Sequence, residues 1–323
     1  MIPREIAILR PESLAEAVEA WEREQSQGRV VRYYGGGTEI ITLARDGKIE
    51  PDVLIDAKHI RETLGIREET DELVLGSSVS LNTLVDTTSL GILGSCASGV
   101  ADRTVRNSIT LGGNICGMLA YREAVLPFLL LDGSLTAVKP GKARPETRAF
   151  KDAFDKRLLM PPGSLVVDMR VSSSLLHDLG MSVDGTGLHD ARGDTAPAYG
   201  AVTAGGIGPA GGWFYRRCTK EPRLDYPLTT VAMARHHDEL RLAVAGAWGY
   251  PLRARPAEDT LNAVGPSKAA GMTTAALREL ATAAVDAVGG TFKQDMRASR
   301  EYRRELTVQA VSDGLSSLCR GET

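Results

Sequence analysis

The sequence has 323 residues, of which 43% are hydrophobic and 24% charged, with a formal net charge of −3. That length allows a sizeable core and, as a prior, roughly two to three domains. No basic arm or Lys/Arg run supplies the electrostatic footprint of a nucleic-acid binder, so no nucleic-acid partner is expected. The longest apolar stretch, residues 124–131, falls far short of the ~20 residues that cross a bilayer, and residues 1–10 lack the apolar segment of a signal peptide. The expectation is a soluble, cytoplasmic protein with no membrane contact.

Taken in chain order, residues 11–16 read as a helix start, with Ser13 as cap and Glu16 reaching back in a capping box. Leu14, Ala17, Val18 and Trp21 then follow at helical spacing to about Gln25. A β-prone run at 29–34 stops at Gly35-Gly36-Gly37, and a short helix is predicted over 38–45. Strands are expected at 53–56 and 73–75, and Ser80 is a plausible cap for a helix beginning at Leu81. The middle alternates: a buried helix over 125–131, then strands over 134–139 and 164–171. From 172 to 212 Gly, Ser, Asp and Ala dominate and periodicity disappears, which predicts a long functional or mobile loop and a natural domain boundary. Beyond it, 229–234 and 239–245 can pair as a hairpin, and helices fill about 256–288 and 300 to the end. The resulting division is 1–57, 58–172, a glycine-rich insertion over 173–212, and 213–323.

The four cysteines, Cys96, Cys116, Cys218 and Cys319, form no C-x-x-C pair. They suit buried, reduced thiols better than a zinc or iron–sulfur site. With five histidines and no H-E-x-x-H, no metal site is expected on this chain. Any redox chemistry then needs an organic cofactor or a partner.

Two glycine loops carry the chemical signal: residues 34–40 (Tyr-Gly-Gly-Gly-Thr-Glu-Ile) and residues 105–115, centred on Thr110-Leu111-Gly112-Gly113-Asn114. Consecutive glycines let backbone amides approach an anion closely, so two such loops could grip both phosphates of a dinucleotide. Each alone could equally be a tight turn. Strand, glycines, helix and strand, with Asp56 about 20 residues on, imitate an NAD-binding fingerprint. That pattern breaks because Ile40 stands where its third glycine should be.

Together the loops resemble those of the FAD-binding medium subunits of molybdenum hydroxylases, whose first loop runs A-G-G-T-[DE]-[LI] and whose second runs I-R-N-x-A-T-[LI]-G-G-N-[IL]. A third stretch, Asp295-Met296-Arg297-Ala298-Ser299-Arg300-Glu301-Tyr302-Arg303-Arg304, is similar to the family's D-x-R-x-S-x-x-Y-R-R. A weaker match is Asp56, closing P-D-V-L-I-D. The resemblance implies an α+β chain with the PCMH-type FAD-binding fold: two α/β subdomains around FAD, then a small antiparallel C-terminal sheet with helices. It also implies a division of labour, with FAD here, a molybdenum cofactor on a large partner subunit, [2Fe-2S] clusters on a small one, and NAD+ or another acceptor receiving the electrons.

Residue by residue, the resemblance places Arg32, Tyr33, Tyr34, Gly35, Gly36, Gly37, Thr38, Glu39 and Ile40 around the FAD pyrophosphate. Thr110, Gly112, Gly113 and Asn114 fall on the phosphates and ribityl chain. Val100, Ala101 and Val105 pack against the cofactor, and Val166 lies near the isoalloxazine. Glu123 replaces the Asp with which family members bond a cofactor hydroxyl. Arg216, with Lys220 next, is the cation expected beside the flavin, and residues 295–304 are expected to be structural. The competing readings are a self-contained flavoprotein oxidase or reductase using the Tyr199 or His189 region, a nicotinamide dehydrogenase without flavin, and a non-enzymatic nucleotide-binding assembly subunit.

Overall fold

Helix α1 (Leu14–Ser26) forms where the capping and periodicity place it: Ser13 Oγ accepts from Glu16 N–H, and Leu14, Ala17 and Val18 are buried on one face. The Glu16 carboxylate reaches back one residue further than a capping box requires, accepting from Glu12 N–H at 3.0 Å. The protein is described by a computed structural model covering residues 5–181, 205–207, 212–221 and 225–320. Around α1, strands β1 (Ala7–Leu9), β2 (Val31–Tyr34) and β3 (Val53–Asp56) form a parallel sheet in the order β1-β3-β2, with α2 (Thr38–Arg45) crossing from β2 to β3. All four residues of β3 are buried, as a central parallel strand requires.

The second layer is a five-stranded antiparallel sheet. Its strands are β4 (Ile66–Glu69), β5 (Glu72–Gly76), β6 (Ser134–Lys139), β7 (Lys142–Ala149) and β8 (Leu165–Ser172), in the order β4-β5-β8-β6-β7. Short helices α3 (Leu81–Asp86), α4 (Ile92–Ser98), α5 (Arg103–Arg106), α6 (Leu111–Cys116) and α7 (Leu126–Leu130) fill the excursion between β5 and β6. β8 divides its side chains between two cores, with an irregularity between Val166 and Asp168 that shifts the alternation: Leu165 and Val167 pack with the first sheet, whereas Val166, Met169 and Val171 face the central cluster.

Helix α8 (Ser173–Asp178) follows β8 directly, and strand β9 (Gly205–Ile207) pairs with β10 (Trp213–Thr219). The run from 172 to 212 is therefore not a plain loop. Ser172 caps α8 through Leu175 N–H, and the glycines at 205 and 206 sit on a sheet edge, so polarity without periodicity concealed two short elements. His189 and Tyr199 lie outside the described residues.

Strands β11 (Pro227–His236), β12 (Glu239–Ala245) and β13 (Leu252–Arg253) complete a five-stranded antiparallel sheet, with the expected hairpin between β11 and β12. One face carries Val231, Met233, Leu242 and Val244 against α9 (Arg255–Val264), α10 (Pro266–Ala270), α11 (Thr274–Ala287) and α12 (Arg300–Arg320). The other face, built from Ala232, Ala234, Ala243 and Ala245, enters the central core, where small side chains let α7 approach. The helical stretch after 255 is broken at Gly265 and Gly271 into three helices. No helix of the described residues is long and apolar enough to cross a membrane.

Candidate functional site

The two glycine loops pack against each other. A Cβ on Gly36 would lie 1.4 Å from the Ser108 carbonyl oxygen, and one on Gly35 would lie 2.6 Å from Thr110 Oγ1. Only glycine permits that approach. Gly37 has φ +70° and lies under the Tyr34 ring, so it needs the left-handed backbone as well as the space. The join is extended by Glu39, whose Oε1 accepts from Met118 N–H at 3.1 Å. Lys58 Nζ donates to Gly35 O at 2.8 Å, is paired with Asp56 at 2.6 Å, and lies 4.3 Å from the Tyr34 ring centre.

The loops differ in what they leave for a ligand. In the second, Leu111 N–H bonds to Val79 O, Gly112 N–H to Ser77 O, Gly113 N–H to Thr110 Oγ1 and Asn114 N–H to Thr110 O. Those four amides are already engaged. Among the described residues none accepts from the amides of Gly36, Gly37, Thr38 or Glu39, which gather at the N-terminus of α2, where the helix dipole favours an anion. The second loop contributes the Asn114 side-chain oxygen instead, buried and without a partner among the described residues. A buried acceptor left unsatisfied costs about 1–3 kcal/mol, which a hydroxyl donor from a ligand would relieve. The donor set thus fits an FAD: amides for a diphosphate and a side-chain acceptor for a sugar-like hydroxyl.

Not every expected residue faces this cleft. Arg32 is exposed on β2, and Tyr33 turns inward, its hydroxyl 3.5 Å from Ala17 O and its ring packed on the first core. Thr38 opens α2 and its carbonyl accepts from the Thr42 hydroxyl, while Ile40 is half-buried two residues further on. Val166 is buried in the central core. Val100 packs on the same core, Val105 is 39% exposed, and Ala101 adopts φ +49°, an uncommon backbone for alanine. That turn is braced by Arg106, which donates to the carbonyls of Ser98, Val100 and Ala101 and to Asn82 Oδ1.

Glu123 is only 1% exposed, and its carboxylate meets Arg217 Nε at 3.1 Å. Burial pushes its acid up to about 7, against the opposing pull of Arg217. Alternation on β10 decides which arginine faces inward. Arg216 points outward to pair with Asp313 on α12, whereas Tyr215 and Arg217 face Gly99, so closely that a Cβ there would meet Tyr215 Oη at 2.3 Å and Arg217 Cδ at 2.8 Å. The residue the sequence placed toward the flavin, Arg216, therefore lies on the opposite face of its strand from the Gly99–Ala101 turn, and its neighbour takes the inward position. Lys220 sits beyond the strand end, its backbone amide bonded to Asp225.

Residues 4–171 match the family of the FAD binding domain in molybdopterin dehydrogenase. The chain belongs to that family. The chain is 32% identical over 119 residues to the carbon monoxide dehydrogenase medium chain of Hydrogenophaga pseudoflava, covering 36% of this chain and 40% of that one. It is 30% identical over 118 residues to the corresponding chain of Afipia carboxidovorans, covering 35% and 40%. The chain thus spans about 40% of the length of the curated relatives it matches. In fold the likeness is wider. Quinoline 2-oxidoreductase from Pseudomonas putida 86 superposes with a TM-score of 0.76 at 17% identity over 98% of both chains. Carbon monoxide dehydrogenase from H. pseudoflava gives 0.74 at 22% identity over 99% of this chain and 100% of that one. The α+β architecture with a C-terminal antiparallel sheet and helices is the one these structures share.

Sequence reasoning missed Lys58, Asn82, Arg106 and Arg217 as parts of the site. Arg106 lies inside the second glycine motif, and Arg217 is the neighbour of the expected cation, Arg216. Lys58 and Asn82 carry no local signal, because what places them is contact with loops 23 and 21 to 25 residues away in the chain.

Proposed function

We propose that this chain is the FAD-carrying subunit of a cytoplasmic, molybdenum-containing hydroxylase or dehydrogenase of the xanthine dehydrogenase type. In this reading a large partner subunit holds the molybdenum cofactor and a small one holds [2Fe-2S] clusters. Electrons reach the FAD from those clusters and leave to NAD+ or another acceptor. The observation that carries the reading is the pairing of unengaged amides at Gly36–Glu39 with the orphaned Asn114 oxygen across two interlocked glycine loops.

Bound FAD supplies the redox chemistry, since a flavin exchanges electrons singly or in pairs. The chain's residues bind and position it. The α2 amides hold a diphosphate, and Asn114 accepts from a hydroxyl of the chain beyond it. Lys58 keeps the first loop closed through Gly35 O. Arg217, fixed by Glu123, presents positive charge beside the Gly99–Ala101 turn and favours negative charge developing there. No general acid or base on this chain is required for such electron transfer.

An absorption spectrum of the purified chain, followed by anaerobic titration with NADH, tests the reading. Flavin bands that bleach on NADH addition are the expected result. Bands that resist NADH would remove NAD+ as acceptor while keeping the FAD. A colourless chain that takes up no FAD, alone or with its partner subunits, would overturn the proposal.

A further inference from the structure

We propose that Asp178, His236 and His237 form a site for a divalent transition metal of the zinc class, tying the end of α8 to the β11–β12 turn. Asp178 is the last residue of α8 and His236 the last of β11, and His237 stands in the two-residue turn that follows, because His236 pairs directly with Glu239. One ligand atom from each of the three lies within 4.8 Å of the others. The His236 Nε2 to Asp178 Oδ2 separation is 3.2 Å. Two ligands bound at ~2.0–2.1 Å around a tetrahedral ion stand roughly 3.3 Å apart, so this pair already spans one edge of a zinc coordination sphere. The His236 and His237 rings are 4.1 Å apart, which puts the second imidazole within a side-chain rotation of the same point.

The framework holding the ligands exists without the metal. Leu179, fully buried, follows Asp178, and the backbone of Leu179 lies so near Gly212 that a Cβ there would meet it at 2.5 Å. Gly212 O in turn accepts from Arg235 N–H at 2.9 Å, so α8 and the strand end carrying His236 are held side by side. Arg235 could have competed for the carboxylate. Its guanidinium instead donates to the carbonyls of His237 and Leu318, and Asp178 is left facing His236. His237 has φ +54° at a turn position where Asn or Gly would sit with less strain. Two imidazoles and one carboxylate select zinc, nickel or copper over magnesium or calcium, and the half-exposed setting leaves the remaining coordination position to water.

The test is calorimetric titration of the full chain with zinc chloride and, separately, magnesium chloride. It is done in a Cys116→Ser background so that no zinc uptake can be due to that cysteine, an exposed residue. One equivalent of zinc bound at micromolar strength or tighter, with no magnesium binding, is expected. His236→Gln and His237→Asn should each weaken zinc at least about tenfold, since even the loss of a group that only supports a metal ligand costs about that much. Asparagine tolerates the left-handed backbone at position 237, so that variant keeps the zinc-free melting temperature and decides the matter if His236→Gln does not fold. Absence of zinc binding in the Cys116→Ser chain, or unchanged affinity in His237→Asn, would overturn the site.

Discussion

Gly36 and Ser108 are in backbone contact: the first glycine loop rests directly on a carbonyl of the second, with no room for a methyl group between them. Gly36→Ala therefore forces the loops apart. The expected cost is at or above the upper end of the ~1–3 kcal/mol typical of overpacking, with loss of most bound flavin. Urea melts and flavin-to-protein ratios measure both. Gly249→Ala, where nothing lies within 4 Å, is the neutral control.

Asn114 should show opposite signs with and without cofactor. Replacing it with leucine, which is close in volume, removes a buried acceptor that has no partner among the described residues. The flavin-free protein should then be unchanged or more stable by up to about 1 kcal/mol. FAD affinity should fall about tenfold, the equivalent of one hydrogen bond of about 1.4 kcal/mol. Melting temperatures with and without FAD separate the two effects, and a variant that binds FAD as wild type does would show that Asn114 makes no bond to it.

The Glu123 acid, pushed up to about 7 by burial, carries a pH signature. Between its unfolded value near 4.5 and about 7, the folded chain binds more protons than the unfolded one, so stability falls as pH rises. The contribution is complete below the unfolded value and lost by about pH 7, a loss on the order of 3 kcal/mol. Glu123→Gln should flatten that slope between pH 5 and 7, as measured by denaturant unfolding at each pH, while leaving the slope below pH 4 in place.

Arg303, fully buried, donates to Leu228 O at 2.6 Å, to Gly246 O at 3.1 Å and to Asp295 Oδ1 at 2.8 Å. Burial alone would raise the Asp295 acid, but hydrogen bonds from Arg297 N–H, Lys293 and Arg303 outweigh it and hold it well below the usual range. Arg303→Met should cost about 1–3 kcal/mol for each of the two buried carbonyls left without a donor, while Asp295, partly exposed, keeps Lys293 at 3.1 Å. Because Arg303 is one of several donors that hold the Asp295 acid well below the usual range, the deficit should stay nearly constant from pH 7 to about 4 and shrink only at lower pH, as Asp295 is protonated in the folded chain. A variant as stable as the wild type at pH 7 would show that these bonds add nothing.

Much of the fold could be read locally. Ser13 and Ser80 mark helix starts, the periodicity of α1 marks a core face, and 229–234 with 239–245 mark a hairpin, because capping and spacing act over a few residues. Motifs at 34–40, 105–115 and 295–304 likewise identified a flavin-binding family, since glycines that must approach another backbone leave a signature wherever the chain lies. Cys116 departs from the expectation of buried thiols, because a residue closing a six-residue helix can face outward with no change in local pattern.

What the sequence by itself determined is which elements form and which loops are glycine-bound by necessity, both consequences of short-range sterics and hydrogen bonding. Only the tertiary structure decided which groups those loops leave unsatisfied, that Arg217 and not Arg216 faces the Gly99–Ala101 turn, and that Lys58 closes the first loop. The physical reason is that strand register and loop-to-loop contact are set by packing between segments distant in the chain. A one-residue change of face on β10 moves a guanidinium from solvent to the buried Glu123 while leaving the local sequence pattern the same.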